Sequence, residues 1–230
     1  MQSSRSLYSP NADDHIQLSG LKKGERASFV TEKQKVETIL KEHFGLTDNI
    51  VDELVLVVTA AATQAGTVSS LAQSHVAMRQ AHEKGMEELN RVLLRHGWNI
   101  KHDGNLAYCF SKHHNIIILY QNVDEACNPE SSPRNISKRG PQTISLLDTL
   151  QFHTRDMFPP QLWLLCSSFD DEGTVNVELS LPKIFSGYYK GFHARLVVNS
   201  DLGDFGGSDK QITIDDSFDD EIDEPDIGIL

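Results

Sequence analysis

The sequence predicts an α+β fold, with a helical N-terminal half packed on an antiparallel or mixed β-sheet and a disordered acidic C-terminal tail. Apolar residues recur at helical spacing between residues 31 and 96, then alternate in extended fashion from Trp98 onward. Helices segregated from strands in this way are the α+β pattern. Acidic residues then crowd the region beyond residue 200. The expected organisation is a flexible arm over 1–20, a single domain over 21–200 and a tail over 201–230. Within the domain, helices fall in 31–96, strands in 98–121 and 162–198, and an exposed loop over 122–142.

Each element has its own local signal. Thr31 followed by Gln34 forms a capping box, Val36, Ile39, Leu40 and Phe44 share one helical face, and Gly45 is a natural stop. Thr47 or Asp48 caps a second helix containing Ile50, Val51, Leu54, Val55 and Val58; the β-branched flank allows a strand, but the length of the apolar stretch favours a helix. A third helix runs from about Val68 to His96, with Leu71, His75, Met78, Ala81, Met86, Leu89 and Leu93 at near-helical spacing. Gly85 within it is a weak point, costing about 1 kcal/mol relative to alanine. Trp98 to Ile100 and Leu106 to Ser111 flank an Asp103-Gly104 hairpin turn. The apolar run Ile116 to Tyr120 reads as a central strand covered on both faces. After the Pro- and Ser-containing loop, Ile144 to Phe152 predicts a short helix. Leu162 to Phe169, Thr174 to Leu181 and Phe192 to Val198 predict three more strands, the last two separated by a loop over 186–191.

Composition excludes several classes. The 230-residue chain, 39% hydrophobic, is long enough to bury a core. Its longest apolar stretch, Ile50 to Ala62, is interrupted by Asp52, Glu53 and Thr59 and falls short of the roughly 18–20 residues that span a bilayer. The first eighteen residues carry no apolar segment of a secretory signal. Three widely spaced cysteines, Cys109, Cys127 and Cys166, fit free thiols in a reducing compartment, so a cytoplasmic location is expected. Of the net charge of −12, the last thirty residues hold eleven acids against Lys210, or −10, which leaves 20 basic and 22 acidic side chains, or −2, on the first two hundred.

Candidate chemistry is sparse, and no cofactor or metal site is expected. Asp170 or Asp171 followed by Glu178 resembles the carboxylate spacing of PD-(D/E)xK nucleases, whose acids hold Mg²⁺. Ser180 stands where those enzymes place lysine. The bland alternative makes Asp-Asp-Glu-Gly a turn and puts Glu178 on the solvent face, opposite Val177 and Leu179. His75 and His82 lie seven residues apart, and neither HxxxH nor CxxC occurs. Cys109 near His113 and His114 reads more simply as a small thiol on an inner strand face. Arg134, Lys138 and Arg139 form a basic cluster for nucleic-acid phosphate, although the body lacks a basic excess.

The tail carries partner-binding candidates. Phe218, Ile222, Asp226, Ile227, Ile229 and Leu230 interleave apolar side chains with acids. This resembles the acidic-then-apolar C-terminus of bacterial single-stranded-DNA-binding proteins, which implies docking in a basic-rimmed apolar pocket of a partner. The stretch Val177-Glu178-Leu179-Ser180-Leu181-Pro182 is similar to a motif in uncharacterised bacterial proteins, some from mobile elements, and implies no activity. The leading expectation is a non-enzymatic interaction or regulatory protein with a protein partner and no membrane association. The alternatives are a divergent Mg-dependent nucleic-acid enzyme and a DNA-binding regulator.

Overall fold

The computed structural model describes residues 28–47, 49–136, 140–152, 160–169, 174–185 and 188–200. In chain order these form β1 (Ser28–Val30), α1 (Lys33–Phe44), α2 (Ile50–Gly66), α3 (Ser74–Arg95), β2 (Asn99–Asp103), β3 (Leu106–Ser111) and β4 (Ile116–Asn122). They continue with α4 (Pro141–Phe152), β5 (Gln161–Phe169), β6 (Val175–Phe185) and β7 (Tyr188–Asn199). The strands make one seven-stranded mixed sheet in the order β1-β7-β6-β5-β4-β3-β2. Pairing is antiparallel except between β1 and β7 and between β4 and β5, where α4 supplies the crossover that a parallel pair requires.

The sheet is covered on both faces. On the first, α1, α2 and α3 bury Leu40, Phe44, Leu54, Val58, Leu89 and Leu93 against Ile118, Tyr120, Trp163, Leu179 and Leu196. Phe44 meets Trp163 edge-on, with ring centroids 5.0 Å apart. On the second face, α4 contributes Leu146, Leu147 and Leu150, and the segment after β4 contributes Val123, Ala126 and Cys127, over Leu119, Leu164 and Val197. The central strand is accordingly buried along nearly all of β4.

Several local expectations need correcting. α1 begins at Lys33 with Glu32 as its N-cap and no side-chain cap bond, so Thr31 lies one residue too early for the capping box. Asn49, in the left-handed conformation at φ 75°, precedes α2. Thr47 does not cap that helix; its hydroxyl lies 3.1 Å from His96 Nδ1 at the end of α3. The third helix starts at Ser74 rather than Val68, and Leu71 is 96% exposed outside it. Tyr188–Gly191 belong to β7 rather than to a loop. Gly85 is a packing requirement: a Cβ there would lie 2.3 Å from Tyr120 Cζ, so the missing side chain lets α3 lie on β4.

The segment after β4 is the largest departure. Expected as an exposed loop over 122–142, it buries Val123, Ala126 and Cys127 almost completely. It closes on itself through the Val123–Asn135 bridge, and Arg134 N donates to the Asp124 carboxylate at 2.8 Å.

Candidate functional site

The carboxylate singled out in the sequence, Glu178, lies in the interior. It sits on β6 with its neighbours Val177 and Leu179 directed at the helical layer, as strand alternation requires. The opposite face at this point is covered by the segment 123–136, so the residue is 0% exposed and not on a solvent face. A register shift between Val177 and Glu178 pairs Glu178 with Val197 and Ser180 with Arg195 on β7, which places Glu178, Ser180 and Arg195 on one face.

There the glutamate and arginine form a two-pronged ion pair. Arg195 Nε donates to Glu178 Oε1 at 2.9 Å and Nη2 donates to Oε2 at 2.6 Å. The remaining acceptor capacity of the carboxylate is taken by Cys127 N–H at 2.7 Å and by the Ser180 hydroxyl. Arg195 Nη1 donates to the carbonyls of Asn128 at 2.9 Å and Ser131 at 2.8 Å, and its guanidinium stands 4.9 Å from the Phe29 ring centroid. A buried pair is tolerable only when its other donors and acceptors are satisfied as they are here. The cluster therefore pins the segment after β4, through backbone groups of Cys127, Asn128 and Ser131, onto the strands β6 and β7. Cys127 adopts φ 65° at this point and directs its thiol to the carbonyls of Val177 and Asn199.

This geometry bears on the nuclease reading. Both Glu178 oxygens are engaged by the guanidinium, so a divalent ion would have to displace a charge-matched partner with superior geometry. Asp170 and Asp171 lie outside the described residues. Among the described residues no group of three or more His, Cys, Asp or Glu side chains is placed to hold a metal.

Arg134 is exposed where the segment closes, while Lys138 and Arg139 lie outside the described residues, as do Phe218, Ile222, Asp226, Ile227, Ile229 and Leu230. Cys109, Cys127 and Cys166 are buried free thiols. Burial pushes the Cys109 thiol up to about 12, and burial together with the nearby Glu178 charge pushes Cys127 up as well, the opposite of an activated nucleophile. His75 is exposed, whereas His82, two turns further along α3, lies against Tyr120 with ring centroids 5.8 Å apart. His114 packs beside Gly45, and desolvation followed by the charge of His113 holds its imidazole below the ordinary value.

Sequence reasoning missed Arg195. The available signal was an arginine on the face opposite Ala194 and Leu196, matched by a glutamate on the face opposite Val177 and Leu179 of the preceding strand. Opposite charges at diagonal positions on one face of adjacent strands lie within reach of long side chains. No helix among the described residues is long and apolar enough to cross a membrane. No family model, curated protein or solved structure matches the chain.

Proposed function

We infer that the chain is a non-enzymatic interaction or regulatory protein of bacterial or phage type, binding a protein partner through its acidic-apolar segment 201–230. The observation that carries this reading is the charge layout, −10 over the last thirty residues against −2 over the first two hundred. Seven apolar residues, from Ile212 to Leu230, are set among those acids. Acidic runs steer association with basic surfaces, and apolar side chains between them supply the buried contact that charge alone lacks. The sheet surface is the less favoured route. Its β2 edge exposes Lys101, His102 and Asp103, and charged side chains on an edge strand oppose strand addition. The carboxylate of the rival nuclease reading, Glu178, is committed to Arg195.

The test compares immobilised full-length protein with a version ending at Ser200 in capturing a partner from lysate, followed by binding of the identified partner to a peptide of residues 201–230. Support is a partner retained by the full chain, lost on truncation, bound by the peptide and released as salt shortens the Debye length from about 10 Å to about 3 Å. Identical capture by both versions overturns the reading. Metal-dependent nucleic-acid cleavage abolished by Glu178→Ala would replace it with the enzyme.

A further inference from the structure

The sheet opens between β3 and β4. β4 pairs with β5 along its whole length, from Ile116 to Asn122, but its pairing with β3 ends at Cys109 and Ile118. Beyond that point β3 peels away. The tip of the β2–β3 hairpin instead comes against α4, where a Cβ on Gly104 would lie 3.3 Å from Gln142 Cγ. The Tyr120 N–H consequently finds Met86 Sδ of α3 at 3.3 Å instead of a carbonyl. A thioether is a weak acceptor on a pliable side chain, a poor substitute in a rigid ladder and a serviceable wall for a cleft.

The opening is a cavity of about 210 Å³ between α3, the diverging strands and α4. This is below the roughly 300–1,000 Å³ of sites for drug-sized ligands, and so suits a fragment. Among the described residues its lining includes no Asp, Glu, Lys or Arg. Leu119, Leu147 and Leu164 give an apolar side, while His82, Tyr120 and Tyr189 bring aromatic rings to it. Polar groups are unspent: among the described residues neither the His82 ring nor the Thr143 hydroxyl has a hydrogen-bond partner, and the Gln121 side-chain oxygen accepts none. Burial, against the opposing charge of Glu83, holds the His82 imidazole below its ordinary value and so favours the neutral ring. A neutral imidazole and a hydroxyl each donate and accept.

We propose that this cleft is a binding site for a small uncharged planar heteroaromatic molecule carrying adjacent donor and acceptor groups, held edge-on by His82 and Thr143. Planarity follows from the place, since a wedge between diverging strands and flanking rings admits a flat molecule furthest. Neutrality follows from the absence of charge among the described lining residues, because desolvating an ion without a counter-charge is costly. The unpaired donors and acceptors select for a polar edge over a plain hydrocarbon. The proposal is independent of the partner-binding reading, which concerns residues 201–230.

The experiment titrates the full chain with adenine, uracil and nicotinamide, with benzoate (flat but charged) and cyclohexanol (neutral but not flat) as controls. Binding is followed by the NMR signals of the histidine rings and of the β4 amides. The expected result is saturable binding of at least one heteroaromatic probe with a dissociation constant of about 1 mM or tighter. It should move the His82 ring and Tyr120 amide signals and weaken about tenfold in His82→Leu or Thr143→Val. The ring and amide signals of the parent protein locate the site even where a variant fails to fold. No saturable binding, equal binding of either control, or binding that leaves the His82 and Tyr120 signals in place would each overturn the assignment.

Discussion

Replacing Glu178 by glutamine removes one charge while preserving the shape of the side chain. The carboxylate accepts four donors: Arg195 Nε and Ser180 Oγ on one oxygen, Arg195 Nη2 and Cys127 N–H on the other. In one amide orientation the new NH₂ faces Arg195 Nη2 and Cys127 N–H, and in the other it faces Arg195 Nε and the Ser180 hydroxyl, which can turn to accept; either way an arginine N–H loses its acceptor and a buried guanidinium loses its counter-charge. Breaking one side of a buried pair costs about 3–5 kcal/mol. A total stability of about 5–15 kcal/mol makes that a large fraction of the whole. At about 2–4 °C per kcal/mol for a chain of this size, the melting midpoint should fall by roughly 6–20 °C. Thermal and urea unfolding followed by tryptophan fluorescence are the assays, because Trp98 and Trp163 are both buried. The double variant Glu178→Leu with Arg195→Met sharpens the test. An isolated pair replaced this way is often neutral. Here it strands the carbonyls of Asn128 and Ser131 and the amide of Cys127, groups that cost about 1–3 kcal/mol each if they stay buried. A Glu178→Gln protein within about 1 kcal/mol of the parent, or a double variant as stable as the parent, would refute the claim that the cluster holds the segment down.

Other consequences can be checked with similar methods. Gly85→Ala should destabilise by about 1–3 kcal/mol through overpacking against Tyr120, despite a helix-propensity gain of about 1 kcal/mol; a variant more stable than the parent in the same urea assay would remove the packing role. The native protein should release no fast thiol to Ellman's reagent at pH 8 and three per chain once unfolded, because all three cysteines are buried. A rapidly reacting native thiol would contradict this. The hydrogen bond with His96, then that from Arg95, holds Glu53 below its ordinary value against the opposing effect of burial. Its contribution is therefore fully present above the unfolded carboxyl value of about 4.3 and lost as pH falls through the depressed folded one. Glu53→Gln should flatten that acid limb in melts below about pH 5 and leave its shape near pH 7 unchanged; an unchanged acid limb would contradict the assignment.

Helix and strand patterns were legible wherever one face of an element meets one layer. Val36, Ile39, Leu40 and Phe44 of α1 are buried together as their spacing implies, and the continuous apolar run of β4 is covered on both faces. Helix starts were less legible because they depend on distant partners. Thr47 has the chemistry of a cap, yet its hydroxyl is drawn to His96 at the far end of α3. The glycine at position 85 cost helix propensity in isolation, and only the Tyr120 ring lying across it shows why a side chain there is excluded.

The candidate site was legible in its parity and opaque in its environment. Strand alternation correctly set Glu178 opposite Val177 and Leu179, but alternation says only that a residue faces away from one layer, not that water lies on the other side. What covers Glu178 is a segment rich in Pro and Ser whose local composition reads as loop, and whose few apolar members, Val123, Ala126 and Cys127, have no period to announce their burial. The bonds that hold it there join residues far apart in sequence: Arg195 reaches Asn128 and Ser131, and Cys127 reaches Glu178. Three small apolar side chains anchor one end of the segment in the core, and the ion pair with its backbone partners adds the attachment over Cys127, Asn128 and Ser131. A charge pair that looks like half of an active site is, on this reasoning, an attachment point that extends a short hydrophobic anchor along the covering segment.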